Sequence, residues 1–180
     1  KRTLVQNFLS SENVVGKIRA KTAEFSAENS GWIEIGPGLG SLTDQLLATR
    51  GARPLTLIAL DPGLAKYRRK ISSDTQTLSV IEGDALQFDW SKAPGDILVS
   101  NLPYQIAASL VVELSSTANP IQKMVLMFQK EVAERIIATP NHKKYGRISI
   151  LTDARLGVKF HFNISKKEFK PAPEVDGAII

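Results

Sequence analysis

Trp32-Ile33-Glu34-Ile35-Gly36-Pro37-Gly38-Leu39-Gly40-Ser41 passes from an apolar tetrad through a glycine-rich bend into a segment with Leu42, Leu46 and Leu47 at helical spacing. The spacing predicts a strand over 32–35 and a helix capped by Ser41. Strand, tight turn and helix in that order form the unit from which parallel sheets are wound. The alternation continues outward. Residues 55–60 read as a second strand, and Asp61-Pro62 opens a helix through Leu64, Tyr67 and Ile71. Residues 78–81, 97–99 and 124–128 read as further strands, with helices over 106–114 and around 131–136. Residues 148–155 fit neither period, whereas 158–162 alternate like a strand, as do 177–180. The expectation is an α/β fold: a mostly parallel, seven-stranded sheet with helices on both faces. In such sheets a ligand lies beyond the carboxyl ends of the strands, near a switch in strand order.

With 180 residues, 43% of them hydrophobic, the chain is long enough for one domain with its own core. Cysteine is absent, which excludes disulfides and cysteine-based zinc sites. Only two histidines occur, His142 and His161, so a metal centre is not expected. No run is long enough to span a bilayer. The net charge is +5, which suits a polyanionic partner. Basic residues cluster at Lys66, Arg68, Arg69 and Lys70, at Lys143, Lys144 and Arg147, and at Lys166, Lys167 and Lys170, with Tyr67, Tyr145 and Phe169 nearby. Solvated faces account for any one of these; three clusters with interleaved aromatics point to nucleic acid. The chain starts without methionine and ends in what reads as an unfinished strand, as a piece of a longer protein does.

Three polar motifs fall at strand ends. Gly36 to Gly40 is G-x-G-x-G, not the dinucleotide fingerprint G-x-G-x-x-G. Pro37 lacks an N–H, Leu39 is bulky, and Glu34 would set a negative charge beside any phosphate. A cofactor with a cationic amino-acid part suits this turn better than a pyrophosphate; a plain strand–helix turn is the alternative. Asp84, in Glu82-Gly83-Asp84-Ala85, places a carboxylate where an adenine amino group can donate to it, or is a solvated turn residue. Asn101-Leu102-Pro103-Tyr104 combines an amide with one acceptor and two donors, a stiffened turn and a flat aromatic face with a polar tip. Those are the parts needed to hold the exocyclic amine of a nucleobase. A strand-ending turn is the plainer reading.

In its order of motifs the chain resembles the class I S-adenosylmethionine-dependent methyltransferases. It is more closely similar to the rRNA adenine dimethyltransferase family, which includes bacterial and eukaryotic small-subunit enzymes and the Erm resistance enzymes. Gln6-Asn7-Phe8-Leu9 resembles the family's opening motif, Phe128 to Arg135 the motif after strand five, Tyr145-Gly146-Arg147 the stretch beyond it, and Phe169-Lys170-Pro171-Ala172-Pro173-Glu174-Val175-Asp176 the late F-x-P-x-P-x-V-D motif. The resemblance implies a Rossmann-like catalytic domain over residues 1–180, with a short N-terminal motif inside 1–25 and without the family's C-terminal helical domain. The implied cofactor is S-adenosylmethionine, leaving as S-adenosylhomocysteine, with no metal. Its implied contacts are Gln6, Asn7, Leu9, Glu34, Gly36, Gly38, Ala59, Leu60, Asp61, Asp84, Ala85 and Asn101.

The implied catalytic set is Asn101, Leu102, Pro103, Tyr104 and Phe169. The Asn101 side-chain oxygen and the Leu102 carbonyl accept from the adenine amine, Pro103 stiffens the turn, and Tyr104 and Phe169 stack on the two faces of the flipped base. One position departs from the family. The acid that accepts from the ribose hydroxyls falls at Ala59, and Asp61 stands two residues on, about 6.5 Å further along an ideal strand. The implied partner is rRNA or a pre-ribosomal small subunit, bound by a cytoplasmic monomer away from any membrane; a mitochondrial or plastid home is also compatible. Two other readings stay open: an Erm-type enzyme acting on large-subunit rRNA, and a non-catalytic nucleic-acid-binding relative serving in transcription, which Ala59 favours. Pro37 and the glycine spacing disfavour a dinucleotide-dependent oxidoreductase.

Overall fold

The computed structural model describes residues 7–72, 77–102 and 104–180. In chain order its elements are β1 (Phe8–Leu9), α1 (Glu12–Phe25), β2 (Trp32–Ile35), α2 (Ser41–Thr49), β3 (Leu55–Ala59), α3 (Pro62–Ser72), β4 (Leu78–Glu82), β5 (Ile97–Asn101), α4 (Tyr104–Ser116), β6 (Lys123–Gln129), α5 (Lys130–Ile136), α6 (Arg147–Asp153), β7 (Phe162–Ile164), β8 (Phe169–Lys170) and β9 (Gly177–Ile179). Seven strands form one sheet in the order β4-β3-β2-β5-β6-β9-β7. β4, β3, β2, β5 and β6 run parallel, and β9 is antiparallel to both of its neighbours. β1 and β8 make a separate antiparallel pair. Strand order reverses between β2 and β5, so the carboxyl ends of those two strands face the crevice where a ligand is expected.

β2, β3 and β5 are buried on both faces, which is why they read as continuous apolar runs rather than as alternation. On one face Leu55, Leu57, Trp32 and Val99 pack against Val14, Val15 and Ile18 of α1 and Leu42 and Leu46 of α2. On the other, Ile33, Ile58, Leu98 and Phe128 pack against Leu110, Val111 and Leu114 of α4 and Ala133 and Ile136 of α5. Among the described residues no helix is long and apolar enough to cross a membrane.

Several local expectations are revised. α1, its N-cap Ser11 accepting from the Val14 N–H, was hidden by a thin pattern in which Thr22 occupies a core position; its hydroxyl is satisfied by donating to the Ile18 carbonyl at 2.9 Å. Ser41 is the first helical residue of α2 and not its cap; Gly40, at φ 97°, holds that place. Residues 148–155 are largely helical, as α6. The late strand starts at Phe162, four residues after the alternation begins, because pairing with β9 starts at Phe162 opposite Ile179. Glu131 and Arg135 face each other on α5 at 3.9 Å, both exposed, as their i,i+4 spacing predicts.

One buried bond ties the crevice together. Ser100 Oγ, 2% exposed, donates to the Ile35 carbonyl at 2.5 Å, joining the carboxyl-terminal ends of β2 and β5. Ser100→Ala leaves that carbonyl without its side-chain donor and should lower unfolding free energy by about 1–2 kcal/mol. A denaturant titration checks this; an unchanged midpoint would show that the bond carries no stability.

Candidate active site

A cavity of about 540 Å³ opens at the carboxyl ends of β2, β3, β4 and β5. That is within the usual range for a small-molecule site, roughly 300–1,000 Å³. Its floor is Glu34 and the bend that follows. Glu34 is 2% exposed, and Thr43 Oγ1 of α2 donates to its Oε2 at 2.7 Å. Burial pushes its carboxyl up to about 7, against smaller downward pulls from the Thr43 bond and the Arg68 guanidinium and a small push from Asp44. The bend stays compact because Gly38 lies at φ 52° and a Cβ there would stand 3.1 Å from the Phe8 ring. Only glycine takes that backbone and leaves room for the ring.

The walls come from the next strand ends. Ala59 ends β3 and is 3% exposed, with Leu60, 54% exposed, and Asp61 beyond it. Asp61 lines the cavity, but its Oδ1 accepts from the Leu64 N–H at 2.9 Å. Its carboxylate therefore caps α3 instead of simply taking the place of an acid at Ala59. Asp84 Oδ1 accepts from the Leu86 N–H at 2.9 Å, which fixes the turn after β4. Buried Ala85 sits beside it, its carbonyl held by Trp90 Nε1 at 3.0 Å. Asn101, half-buried, is the last residue of β5, and Leu102 is 1% exposed; both line the cavity.

The N-terminal and late motifs close the mouth. β1 pairs with β8, Leu9 opposite Phe169, and the Ser10 N–H donates to the Glu168 carbonyl at 2.8 Å. Asn7 and Leu9 thereby reach the cavity, and so do Pro171, Ala172, Pro173 and Glu174. Asp176 fixes the far end of that segment, its Oδ1 accepting from the Lys166 N–H at 2.8 Å and its carbonyl from the Lys130 N–H at 2.9 Å.

Phe169, the residue expected to stack on the target base, is turned into the core. It is 2% exposed, packed with Leu9, and absent from the cavity wall. Strand alternation explains this: Lys170 points to solvent, so Phe169 points in. The sequence named one residue of the motif, whereas the wall takes the four that follow Lys170. Gln6 and Pro103 lie outside the described residues, and Tyr104 opens α4. Of the remaining residues assigned to the cofactor, Asn7, Leu9, Glu34, Gly36, Gly38, Ala59, Leu60, Asp61, Asp84, Ala85 and Asn101 all line this one cavity. Among the described residues its ionisable lining is Glu34, Asp61, Asp84 and Glu174, with no Lys, Arg or His.

The basic clusters lie outside. Lys143, Arg147, Lys166, Lys167 and Lys170 are exposed. Lys144 is ion-paired to Glu134. Arg68 departs from its cluster: it is 3% exposed and turned inward.

The ribosomal RNA adenine dimethylase family profile matches residues 1–180. The chain is 39% identical to the ribosomal RNA small subunit methyltransferase A of Bdellovibrio bacteriovorus, covering 100% of this chain and 64% of that protein. It is 40% identical to the protein of the same name from Mannheimia succiniciproducens, covering 97% and 63%. Among solved structures it is similar to a dimethyladenosine transferase from Plasmodium falciparum, with a TM-score of 0.83 at 29% identity over 96% of this chain and 61% of that one. The 23S rRNA methyltransferase ErmE gives a TM-score of 0.78 at 26% identity over 96% and 68%. The chain thus spans somewhat less than two thirds of the curated relatives it matches. A profile match over the whole chain, joined to a parallel sheet whose strand ends gather the motifs into one cavity, places this chain in the ribosomal RNA adenine dimethylase family.

Proposed function

We propose that this chain transfers methyl groups from S-adenosylmethionine to the exocyclic amino group of adenines in small-subunit rRNA. The observation that carries the reading is the charge of the cavity: four acidic side chains line it and, among the described residues, no basic side chain does, in a chain of net charge +5. Such a pocket favours a cationic small molecule and disfavours a pyrophosphate. The cationic outer surface favours a polyanion. S-adenosylmethionine carries a sulfonium and an ammonium, and when bound it supplies an electrophilic methyl group.

The glycine bend and Glu34 receive its amino-acid end, and Asp84 with Ala85 receives its adenine. Ala59 offers no acceptor to the ribose. Asn101 through its side-chain oxygen, and Leu102 through its carbonyl, accept from the target amine. This localises a lone pair otherwise delocalised into the ring and aims it along the transfer line; such alignment is worth several kcal/mol. Tyr104 supplies a stacking face, worth about 1–3 kcal/mol per base. Eversion costs least for an unpaired adenine, which favours loop RNA. The small-subunit substrate is preferred because the relatives with 36–40% identity carry that name. The likeness to ErmE keeps large-subunit rRNA as the second reading.

The direct test supplies labelled S-adenosylmethionine with unmethylated 30S or 50S particles, followed by nucleoside analysis. Label in N6-methylated adenosine from 30S is expected. Label from 50S alone would move the assignment to the Erm type, and no label from either would end the enzyme reading. Asn101→Ala should reduce transfer by about 100-fold or more with donor affinity nearly unchanged; wild-type turnover would remove Asn101 from the mechanism.

The folded-state value of Glu34, about 7, lies above its ordinary 4.5. The stability contributed by its neutral form is therefore complete below the unfolded value and is lost as pH rises through the folded one. The ionised form is the one that attracts a cation, so donor affinity should rise roughly tenfold or more between about pH 5.5 and about pH 8.5. Calorimetry on wild type and Glu34→Gln, which keeps a partner for Thr43, checks this. A sloped wild-type profile that flattens in the variant is expected; a flat wild-type profile would contradict it.

A further inference from the structure

The glycine bend is held from behind by a residue that the sequence presents as part of a surface cluster. Arg68 lies about two turns into α3, beyond the Asp61 cap that itself borders the cavity. Its side chain is 3% exposed. Nη2 donates to the Leu39 carbonyl, and Nη1 donates to Asp44 Oδ1 in the first turn of α2 at 3.1 Å. The guanidinium sits against Gly40, and a Cβ on Gly40 would overlap it. Gly40 is thus fixed as glycine twice, by φ 97° and by the arginine.

Burying a guanidinium is costly, and here the cost is only partly met. Nε finds no partner among the described residues, and the Asp44 side chain is 67% exposed. An apolar side chain would fill the same space at lower cost. What it would not supply is a donor for the Leu39 carbonyl and a positive charge behind Glu34. The charged groups acting on Glu34 are Asp44 of α2 and Arg68 of α3; Arg68 is the cation that favours its ionised form.

We propose that Arg68 is a positioning residue for donor binding: seated against Gly40 and bonded to the Leu39 carbonyl, it locks the bend between β2 and α2 in the shape that receives the amino-acid end of the donor. The planar fork sets the shape of the bend, and the charge supports the carboxylate on the cavity floor. Arg68 touches neither donor nor substrate; it acts through the loop and through Glu34. The inference rests on the S-adenosylmethionine reading for its ligand and on Arg68 alone for its content.

The test measures S-adenosylhomocysteine affinity by calorimetry across pH, with thermal melting, for wild type, Arg68→Lys and Arg68→Met. Lysine keeps the charge and loses the fork. Arg68→Lys should bind about tenfold more weakly with a pH midpoint near that of wild type. Arg68→Met should bind at least as weakly and shift the midpoint upward, because Glu34 has lost its cation. A purely structural arginine would lower the melting temperature while the folded variants kept wild-type affinity and midpoint, and that result overturns the proposal. If Arg68→Met does not fold, Arg68→Lys decides alone: wild-type affinity overturns the proposal and a tenfold loss supports it. A wild-type protein that fails to bind S-adenosylhomocysteine at all sinks the donor reading beneath it, an outcome distinct from variants that match a binding wild type.

Discussion

A reversal of charge organises this molecule. The chain as a whole is cationic, yet the cavity at its strand ends is walled by Glu34, Asp61, Asp84 and Glu174. Carboxylates gathered in one crevice repel each other and gain from a cation between them. Lysines and arginines on the exterior repel each other and gain from phosphates. On the proposed reading, the two surfaces sort two ligands of opposite charge to two places, and a methyl donor of positive charge meets a polyanionic acceptor at the boundary. Asn101, the last residue of β5, lines the cavity half-buried and uncharged, with an amide dipole that can turn its oxygen towards a donor.

The sheet makes the sorting possible. Five parallel strands bring their carboxyl ends to one side, and the reversal of strand order between β2 and β5 opens the crevice there. The Ser100 bond to the Ile35 carbonyl couples the glycine bend to the Asn101 turn. A displacement of one strand end is therefore felt by the residues on the other. Behind the bend, Thr43 and Arg68 approach from α2 and α3, and α2 is also one of the helices that pack on the sheet.

Much of this was legible in the linear order of residues. Apolar runs such as 32–35 and 124–128 gave the strands because parallel strands are buried on both faces, and a polar motif after such a run is carried to the ligand side by topology alone. What was not legible depends on side-chain direction or distant pairing. Phe169 looks like an exposed aromatic beside lysines, but pairing with β1 turns it into the core and leaves the wall to Pro171–Glu174. Arg68 belongs to a run of four basic residues, three of which face solvent, and only the helical phase of α3 against the bend distinguishes it. Asp61 could be placed at the cavity from spacing, yet its commitment to the α3 cap required the geometry. α1 is faint in the sequence because its core stripe includes Thr22, whose hydroxyl is satisfied within its own helix.

The proposed chemistry needs one cavity that receives the donor, and its demethylated product, in one orientation. A crystal structure of the protein soaked with S-adenosylhomocysteine tests it most directly. The amino-acid end should lie over Gly36–Gly40 near Glu34, the adenine beside Asp84 and Ala85, and the sulfur towards Asn101. A ligand bound elsewhere, or a cavity that stays closed to it at saturating concentration, would contradict the account.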